Sequence, residues 1–274
     1  MVHDQRLPKG FRPGHPSDTI HPRFMLTSTH WACPSSPAIF RSLTPGVVHV
    51  WRVHLDMSPR QAALYRTDLS EDERARAERY RLPHHQYQFI STRGILRNLI
   101  GHYVGIPPGT LGLENNLQGK PSLTVPPHPS LQFNVSHTSG MALLAFTVEH
   151  PVGIDVEQVD RNVSDQDIAT RYFSPREAEY LATLSPDNRT QEFLIYWTCK
   201  EAYLKMQGIG LSGGMAHCEI ALDQDGLKAT VLSTHEPDWG NDCSLFRINP
   251  GQSHIGALAV ACHPVEVLFW DWKD

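Results

Sequence analysis

Apolar and polar residues alternate in several short runs of the chain, and this alternation predicts β-strands. The first run is Val47–Val53, which is rich in β-branched and aromatic residues. In the run 152–157, Ile154 and Val156 would face one side of a sheet, whereas Asp155 and Glu157 would face the other. The same reasoning predicts further strands at 131–135, 141–148, 217–222, 228–232, 244–248, 255–262 and 265–270.

Two shorter helices are predicted from serine caps. Ser70 and Glu73 form a capping-box pattern, in which each side chain accepts a hydrogen bond from the other residue's backbone. This helix is expected to continue until Pro83 ends it. Ser174 and Glu177 repeat the pattern in the second half, with a proline at the first helical position.

Two longer helices are predicted at about 86–104 and 190–207, and the second should end at Gly208. The first carries an apolar stripe at helical spacing, which includes Ile90, Leu96 and Leu99. A strand, helices and further strands therefore occur in this order twice. This order predicts an α+β fold made of two similar α+β halves.

The domain organisation follows from the same pattern. Residues 1–44 are rich in proline, histidine and serine and show no sustained periodicity, so they are expected to form an irregular extension. The N-terminal α+β half is expected at 45–149, and the C-terminal half at 150–274.

Composition narrows the class of protein. The chain has 274 residues, 40% of them hydrophobic, which is enough for a substantial core. A formal charge of −5 gives no argument for nucleic-acid binding. Five scattered cysteines without a C-x-x-C pair predict reduced thiols in a cytoplasmic protein. No apolar run is long enough to span a membrane, and no histidine pair at zinc-hydrolase spacing occurs.

The strongest candidate chemistry comes from the strand at 152–157 and the helix at 190–207. Glu201 and Lys205 are four residues apart and share one face of the helix. If helix and strand pack together, Asp155, Glu157 and Glu201 would lie beside Lys205. Hard oxygen ligands next to a cation suit Mg²⁺ holding a pyrophosphate, although acidic residues at i and i+2 also occur on solvated sheet faces.

Several other residues are weaker candidates by themselves. Gly153 would permit close approach of a phosphate or a ligand backbone. Ser136 and His137 end a strand and offer donors to phosphate oxygens, but a simple turn would also explain them. Lys120, in a Gly-Lys-Pro turn, and Arg93 are equally compatible with an ordinary surface position. Together these residues are stronger evidence for a phosphate-binding site, because a ligand with several phosphates needs several cationic groups.

Taken in order, these motifs resemble the Sfp-type 4′-phosphopantetheinyl transferases, and they are closest to the cyanobacterial heterocyst-type branch. The resemblance covers roughly residues 46–272. It rests on Gly-Lys-Pro at 119–121, Phe-Asn-Val-Ser-His at 133–137, Gly-Ile-Asp-Val-Glu at 153–157, Trp-Thr-Cys-Lys-Glu-Ala-Tyr-Leu-Lys at 197–205, and the arginine-rich stretches 74–80 and 93–97.

The resemblance implies a fold of two similar halves related by pseudo-two-fold symmetry, with coenzyme A between them. It implies Mg²⁺-dependent transfer of the 4′-phosphopantetheine arm of coenzyme A to a serine of an apo acyl or peptidyl carrier protein, releasing adenosine 3′,5′-bisphosphate. By the same resemblance, Asp155 and Glu201 would be metal ligands and Glu157 a third acidic position. Glu201 would also be the base, and Lys205 would lie near the pyrophosphate.

The resemblance further implies a set of coenzyme A contacts, which are Arg76, Arg93, Lys120, Ser136, His137, Lys200 and Lys205. A monomer is expected, since two halves of one chain would form a complete cleft. Two alternatives stay open. One is an inactive module of the same fold that only binds coenzyme A and carrier proteins; the other is a different Mg²⁺-dependent nucleotide enzyme. The complete acidic set beside Lys205 favours the transferase.

Overall fold

The computed structural model describes residues 30–125, 128, 130–159, 165–210, 214–222, 228–233, 243–263 and 265–273. No helix within these ranges is long and apolar enough to cross a membrane. The described α-helices are α1 (Pro59–Arg66), α2 (Glu71–Glu78), α3 (Pro83–Val104), α4 (Asp165–Tyr172), α5 (Pro175–Ala182) and α6 (Pro186–Gln207). The described strands are β1 (Val47–His54), β2 (Gly112–Asn115), β3 (Pro121–Val125), β4 (Leu131–Thr138), β5 (Met141–Val148), β6 (Val152–Gln158), β7 (Glu219–Leu222), β8 (Lys228–Ser233), β9 (Ser244–Gly251), β10 (His254–Val260) and β11 (Glu266–Asp271).

The strands form two main sheets, and the predicted α+β class is confirmed. The first sheet has the order β11-β1-β5-β4, and the second has the order β6-β10-β9-β8-β7. A separate hairpin pairs β2 with β3. Strand β4 is therefore an edge of the first sheet, and β6 is an edge of the second. These two edges carry the residues of the candidate site.

The core is layered because side chains alternate between the two faces of each strand. Leu144 and Phe146 of β5 face α3, whereas Leu143 and Ala145 face the second sheet. Ile154 of β6 joins this apolar layer between the sheets. The opposite face of the second sheet packs against α6. The order of layers is thus helix, sheet, sheet and helix.

The two halves repeat the same helical elements. Both α2 and α5 have eight residues and a complete serine–glutamate capping box, as predicted. Both α3 and α6 have 22 residues, begin with proline and end at a glycine in the left-handed conformation. These glycines, Gly105 and Gly208, have φ values of 72° and 74°, which favour glycine over other residues. The repeat predicted from element order is therefore present in these helices.

The predicted end of α2 and the predicted start of α3 are wrong. Helix α2 ends at Glu78 rather than near residue 82, and Pro83 begins α3 instead of ending α2, since proline is well suited to the first turn of a helix.

The last strand, β11, pairs in parallel with β1 in the first sheet. The boundary expected at residue 150 consequently does not separate the two sheets cleanly.

Of the irregular extension expected at 1–44, residues 1–29 lie outside the described ranges and residues 30–44 are described. Pro37–Ser42 form a 3₁₀ helix, and Phe40 stacks on Trp51 with ring centroids 5.6 Å apart. The Trp31 indole donates to Asn249 O at 3.0 Å. Residues 30–44 therefore pack on the fold and cover part of its aromatic core.

A hydrogen-bond chain that runs from the surface at Ser42 to buried His49 joins this segment to β1. Ser42 Oγ donates to Ile39 O at 2.7 Å, so it accepts from His49 Nε2 at 3.2 Å. His49 Nδ1 then accepts from the Tyr103 hydroxyl at 2.8 Å, and that hydroxyl accepts from the Trp51 indole at 2.9 Å. Every member is satisfied only while His49 is neutral, with its proton on Nε2.

The hydrogen-bond chain through His49 predicts that the protein loses stability in mild acid. Burial lowers the pKa of His49 from 6.5 to about 4, so the unfolded chain takes up a proton before the folded protein does. The free energy of unfolding should fall by up to about 3 kcal/mol as pH drops from 6.5 to 4, and no further through this group. Urea titrations of wild type and His49→Gln across this range measure the difference. His84→Gln, at an exposed histidine, is the control, and parallel curves for wild type and His49→Gln would contradict the assignment.

Candidate active site

The candidate site lies where the edge strands β4 and β6 meet helix α6. Asp155 Oδ1 accepts from Ser136 Oγ at 2.7 Å and from Lys205 Nζ at 2.6 Å. Lys205 Nζ also donates to Ser136 Oγ at 3.0 Å. Asp155 and Ser136 are buried, whereas the Lys205 side chain is 27% exposed. The site therefore joins the two sheets through one compact charged cluster.

Asn134 holds the two edge strands together at this point. Its Oδ1 accepts from the backbone N–H of Ile154 at 2.9 Å, although β4 and β6 belong to different sheets. Both residues are buried, so this bond also satisfies a backbone donor away from water. The sequence analysis gave Asn134 no role. Its one signal was the presence of asparagine, a residue depleted in strands, between the apolar residues Phe133 and Val135.

Gly153 brings α6 close to β6. A Cβ atom at this position would lie 2.0 Å from Ala202 O and 2.3 Å from Met206 N. The expectation that Gly153 makes room for a ligand is therefore corrected, because the helix backbone occupies that space. This close approach places the α6 side chains over Asp155.

Glu201 lies one turn before Lys205 on α6 and is only 8% exposed. Its pKa is raised to about 7, first by burial and then by the negative charges of Asp155 and Glu157, while the positive charge of Lys205 opposes the shift. Of the four charged groups predicted to meet, Asp155 and Lys205 are in direct contact, and Glu201 lies on the same side of α6 as Lys205. A carboxyl group with this pKa exchanges protons near neutral pH, which suits general acid–base chemistry.

Two further side chains, His137 and Arg76, lie near the cluster. His137 follows Ser136 on β4 and therefore points away from Asp155, toward solvent. Partial burial lowers the pKa of His137, and the charges of Lys205 and Arg76 lower it further. Arg76 is exposed, and its guanidinium lies 5.1 Å from the centre of the Phe89 ring. The Arg76 guanidinium and the neutral His137 imidazole therefore face solvent, where both can donate hydrogen bonds to an anion.

Lys120 is not placed as the sequence analysis expected. Its ammonium donates to Val152 O at 3.0 Å, Lys205 O at 2.9 Å and Met206 O at 3.2 Å. These bonds use all three N–H donors, and burial lowers the pKa of Lys120 to about 8. Lys120 therefore caps the C-terminal end of α6 and ties it to β6, and its three N–H donors are already used.

Lys200 and Arg93 are also directed away from the cluster. Lys200 is fully buried and forms an ion pair with Glu177 at 2.7 Å, on the side of α6 that faces α5. Arg93 forms an ion pair with Glu73 of α2. We therefore leave Lys200 out of the proposed coenzyme A contacts and regard Arg93 as a neighbour of that site.

The carboxylates fit a magnesium ion that is shared with a substrate. Asp155 Oδ2 is buried without a hydrogen-bond partner among the described residues, which leaves one ligand oxygen beside Glu201. Among the described residues, no group of three or more His, Cys, Asp or Glu side chains is arranged so that it could hold a metal ion without further ligands. Mg²⁺ commonly takes one or two protein carboxylates and completes its shell with water and substrate phosphates. The donor set matches that pattern.

A pocket of about 360 Å³ opens at the C-terminal end of α6. Its lining combines the side chains of Leu123 and Phe133 with Lys120, Met206 and Gln207. The sequence analysis did not find it, since the lining residues are spread over β3, β4 and α6. Its mixed apolar and polar lining suits a flat heterocyclic group.

Comparison with known proteins identifies the class. Residues 151–258 match the model of the 4′-phosphopantetheinyl transferase superfamily, and residues 56–149 match the N-terminal model of 4′-phosphopantetheinyl transferases. The chain belongs to this superfamily and is a 4′-phosphopantetheinyl transferase.

The similarity extends over most of the chain. It is 36% identical to the 4′-phosphopantetheinyl transferase HetI of Nostoc sp. over 244 residues, which is 89% of this chain and 99% of that protein. It is 32% identical to a putative 4′-phosphopantetheinyl transferase of Synechocystis sp. over 77% of this chain and 74% of the relative. The Sfp protein of Bacillus subtilis is 26% identical over 82% of this chain and 98% of its own length. The resemblance to Sfp-type enzymes and to the cyanobacterial branch is confirmed.

Proposed function

We propose that this enzyme transfers the 4′-phosphopantetheine arm of coenzyme A to a serine of an apo acyl or peptidyl carrier protein, with Mg²⁺, and releases adenosine 3′,5′-bisphosphate. The observation that carries the proposal is the cluster of Asp155, Ser136 and Lys205, with Glu201 one helical turn away. It combines a ligand oxygen, a cation and a carboxyl group that titrates near neutral pH. Transfer from a pyrophosphate to a hydroxyl needs each of these groups.

Coenzyme A is proposed to bind with its phosphates across the cationic side of the cluster. Lys205, His137 and Arg76 supply donors there, and Arg76 and His137 face solvent, where a 3′-phosphate would enter. The pocket beside Phe133 would take the nucleobase. Phosphates then lie between the pocket and the carboxylates, which places the pyrophosphate next to Asp155.

Asp155, through Oδ2, and Glu201 would hold Mg²⁺, with Glu157 as a third acidic position. When bound, the ion would supply positive charge that offsets the negative charge developing on the leaving group. Ser136 and Lys205 both bond to Oδ1, so they fix the Asp155 carboxylate with its other oxygen toward the substrate. We therefore assign Ser136 a positioning role in addition to the phosphate contact expected from the sequence.

The serine hydroxyl of the carrier is a weak nucleophile at neutral pH and needs a base. Glu201, directly or through a water, would take its proton as the serine oxygen forms a bond to the pantetheine-bearing phosphorus. The bond from that phosphorus to the bridging oxygen then breaks, and adenosine 3′,5′-bisphosphate leaves with that oxygen. Lys205 donates to oxygens that gain charge in this step. One chain supplies all of these groups, so a monomer is the proposed active form.

The test is intact-mass analysis of an apo carrier protein incubated with the enzyme, coenzyme A and Mg²⁺. A gain of one phosphopantetheine mass, absent when EDTA is added and restored by excess Mg²⁺, is expected. The assay is run with fatty-acid, polyketide and peptide carriers in parallel, which also ranks the partners. Absence of the gain with all three, while calorimetry shows coenzyme A binding, would contradict the proposed reaction.

A further inference from the structure

Helix α6 is buried on nearly every side, and this creates a positioning problem. Residues 193–196 and 198–204 are all buried. Apolar burial has no preferred direction, so packing of such a helix does not by itself select one rotation about its axis. Glu201 must nevertheless face β6, because a turn of the helix would carry its carboxylate away from Asp155. A directional interaction is needed to fix that rotation.

Lys200, the residue before Glu201, supplies three directional bonds. Its ammonium pairs with Glu177 Oε2 at 2.7 Å and donates to Met215 O at 3.0 Å and to Cys218 O. All three N–H groups are thus used, and the side chain is fully buried. Any rotation of α6 would withdraw a buried charge from its acceptors, which is strongly unfavourable.

Glu177 is itself held from two further directions. Its Oε2 accepts from the backbone of Ser174 at 2.8 Å, which completes the cap of α5. Its Oε1 accepts from the backbone of Ile220 at 2.8 Å, at the start of the second sheet's edge strand β7. The acceptor that fixes Lys200 is therefore anchored to both α5 and the second sheet.

The first half contains a matching pair. Glu73, the capping-box residue of α2, pairs with Arg97 at 2.6 Å, and Arg97 is 1% exposed. Arg97 and Lys200 each lie fourteen positions after the proline that begins their helix. Arg97 donates to Pro108 O and Leu111 O, which flank a 3₁₀ helix just as Met215 O and Cys218 O do. The device is thus repeated, and only the second copy lies beside Glu201.

We propose that the Lys200–Glu177 pair is a positioning device for catalysis, which fixes the rotation of α6 so that Glu201 and Lys205 face Asp155. The proposal rests on the proposed role of Glu201 in the transfer. Gly153 sets how closely α6 approaches β6, and the ion pair sets which side chains point there. Lys200 acts through its neighbour in the helix and touches no substrate.

Lys200→Met tests the proposal, with Arg97→Met as the matched control. Each variant removes the cation of a buried pair and replaces it with a shorter, unbranched apolar side chain, so both should lower the thermal midpoint. At a temperature where both remain folded, Lys200→Met should lower kcat by about tenfold or more, because catalytic groups tolerate little displacement. Its KM for coenzyme A should stay within about threefold of wild type. Arg97→Met should keep kcat within about threefold of wild type.

Equal loss of kcat in the two variants, or full kcat in Lys200→Met, would overturn the proposal. If Lys200→Met does not fold, Glu177→Gln gives the same comparison, since glutamine keeps acceptor capacity but not the charge. Hydrogen exchange of residues 197–205 is measured on the same samples. Exchange should accelerate in Lys200→Met and not in Arg97→Met. Unchanged exchange in Lys200→Met would contradict the proposal. This readout needs no turnover, so a failure of the proposed transferase reaction is distinguishable from a failure of the positioning device.

Discussion

Replacing Glu201 with glutamine is expected to slow transfer by at least about a hundredfold, the usual contribution of a general base. Glutamine has nearly the same shape but cannot accept the serine proton. The pKa of Glu201 is raised to about 7 by burial and by Asp155 and Glu157, so the natural side chain is suited to accept a proton near neutral pH. The rate of holo-carrier formation, followed by intact mass, measures the effect.

The control for Glu201→Gln is folding and coenzyme A binding. The thermal midpoint should not fall, because the substitution removes a buried carboxylate that lies near two other negative charges. Calorimetry should show that coenzyme A still binds. Turnover within tenfold of wild type would exclude Glu201 as the base, whatever its place in the metal site.

Asp155→Asn is expected to reduce transfer by a factor of about a hundred or more, since metal-assisted charge stabilisation is worth several kcal/mol. Asparagine keeps an oxygen that accepts from Ser136 and Lys205, but it places an amide where the unpartnered Oδ2 lies. An amide nitrogen is no ligand for Mg²⁺. The Mg²⁺ concentration that gives half-maximal rate should therefore rise sharply, and titrating Mg²⁺ in the transfer assay measures it.

Asp271→Asn provides a matched control for this experiment. Asp271 forms a two-bond ion pair with Arg52, at 2.7 and 2.9 Å, and its side chain is 17% exposed. Its substitution removes the same charge from a largely buried ion pair far from the candidate site in sequence and in the sheet order. The Mg²⁺ dependence of Asp271→Asn should match that of wild type. A parallel change in both variants would mean that Asp155 acts on stability and not on the metal.

The sequence predicts best where local chemistry decides the structure. Ser70–Glu73 and Ser174–Glu177 form the capping boxes that their spacing implies, because the bonds involve residues three positions apart. Strand alternation likewise placed Asp155 on the face opposite Ile154. Spacing along α6 put Glu201 and Lys205 on one side. The meeting of these groups followed once strand and helix were taken to pack together.

Burial and long-range pairing could not be predicted in the same way. Lys120 and Lys200 lie in motifs where an exposed cation was expected. Each ammonium instead donates its hydrogen bonds to acceptors on segments distant in sequence. Nothing in the neighbouring residues marks Met215 O or Val152 O as their partners. The parallel pairing of β11 with β1 joins residues more than 200 positions apart, beyond the reach of periodicity.

That pairing sets an order of events during synthesis. Strand β1 lies between β11 and β5, so the first sheet lacks one of its four strands until residue 271 has been made. Trp31 and Ala32 also lack these partners until β11 has been made, since Ala32 N donates to Phe269 O and Trp31 packs on the Phe269 ring. The N-terminal half therefore cannot complete its fold on the ribosome ahead of the C-terminal half.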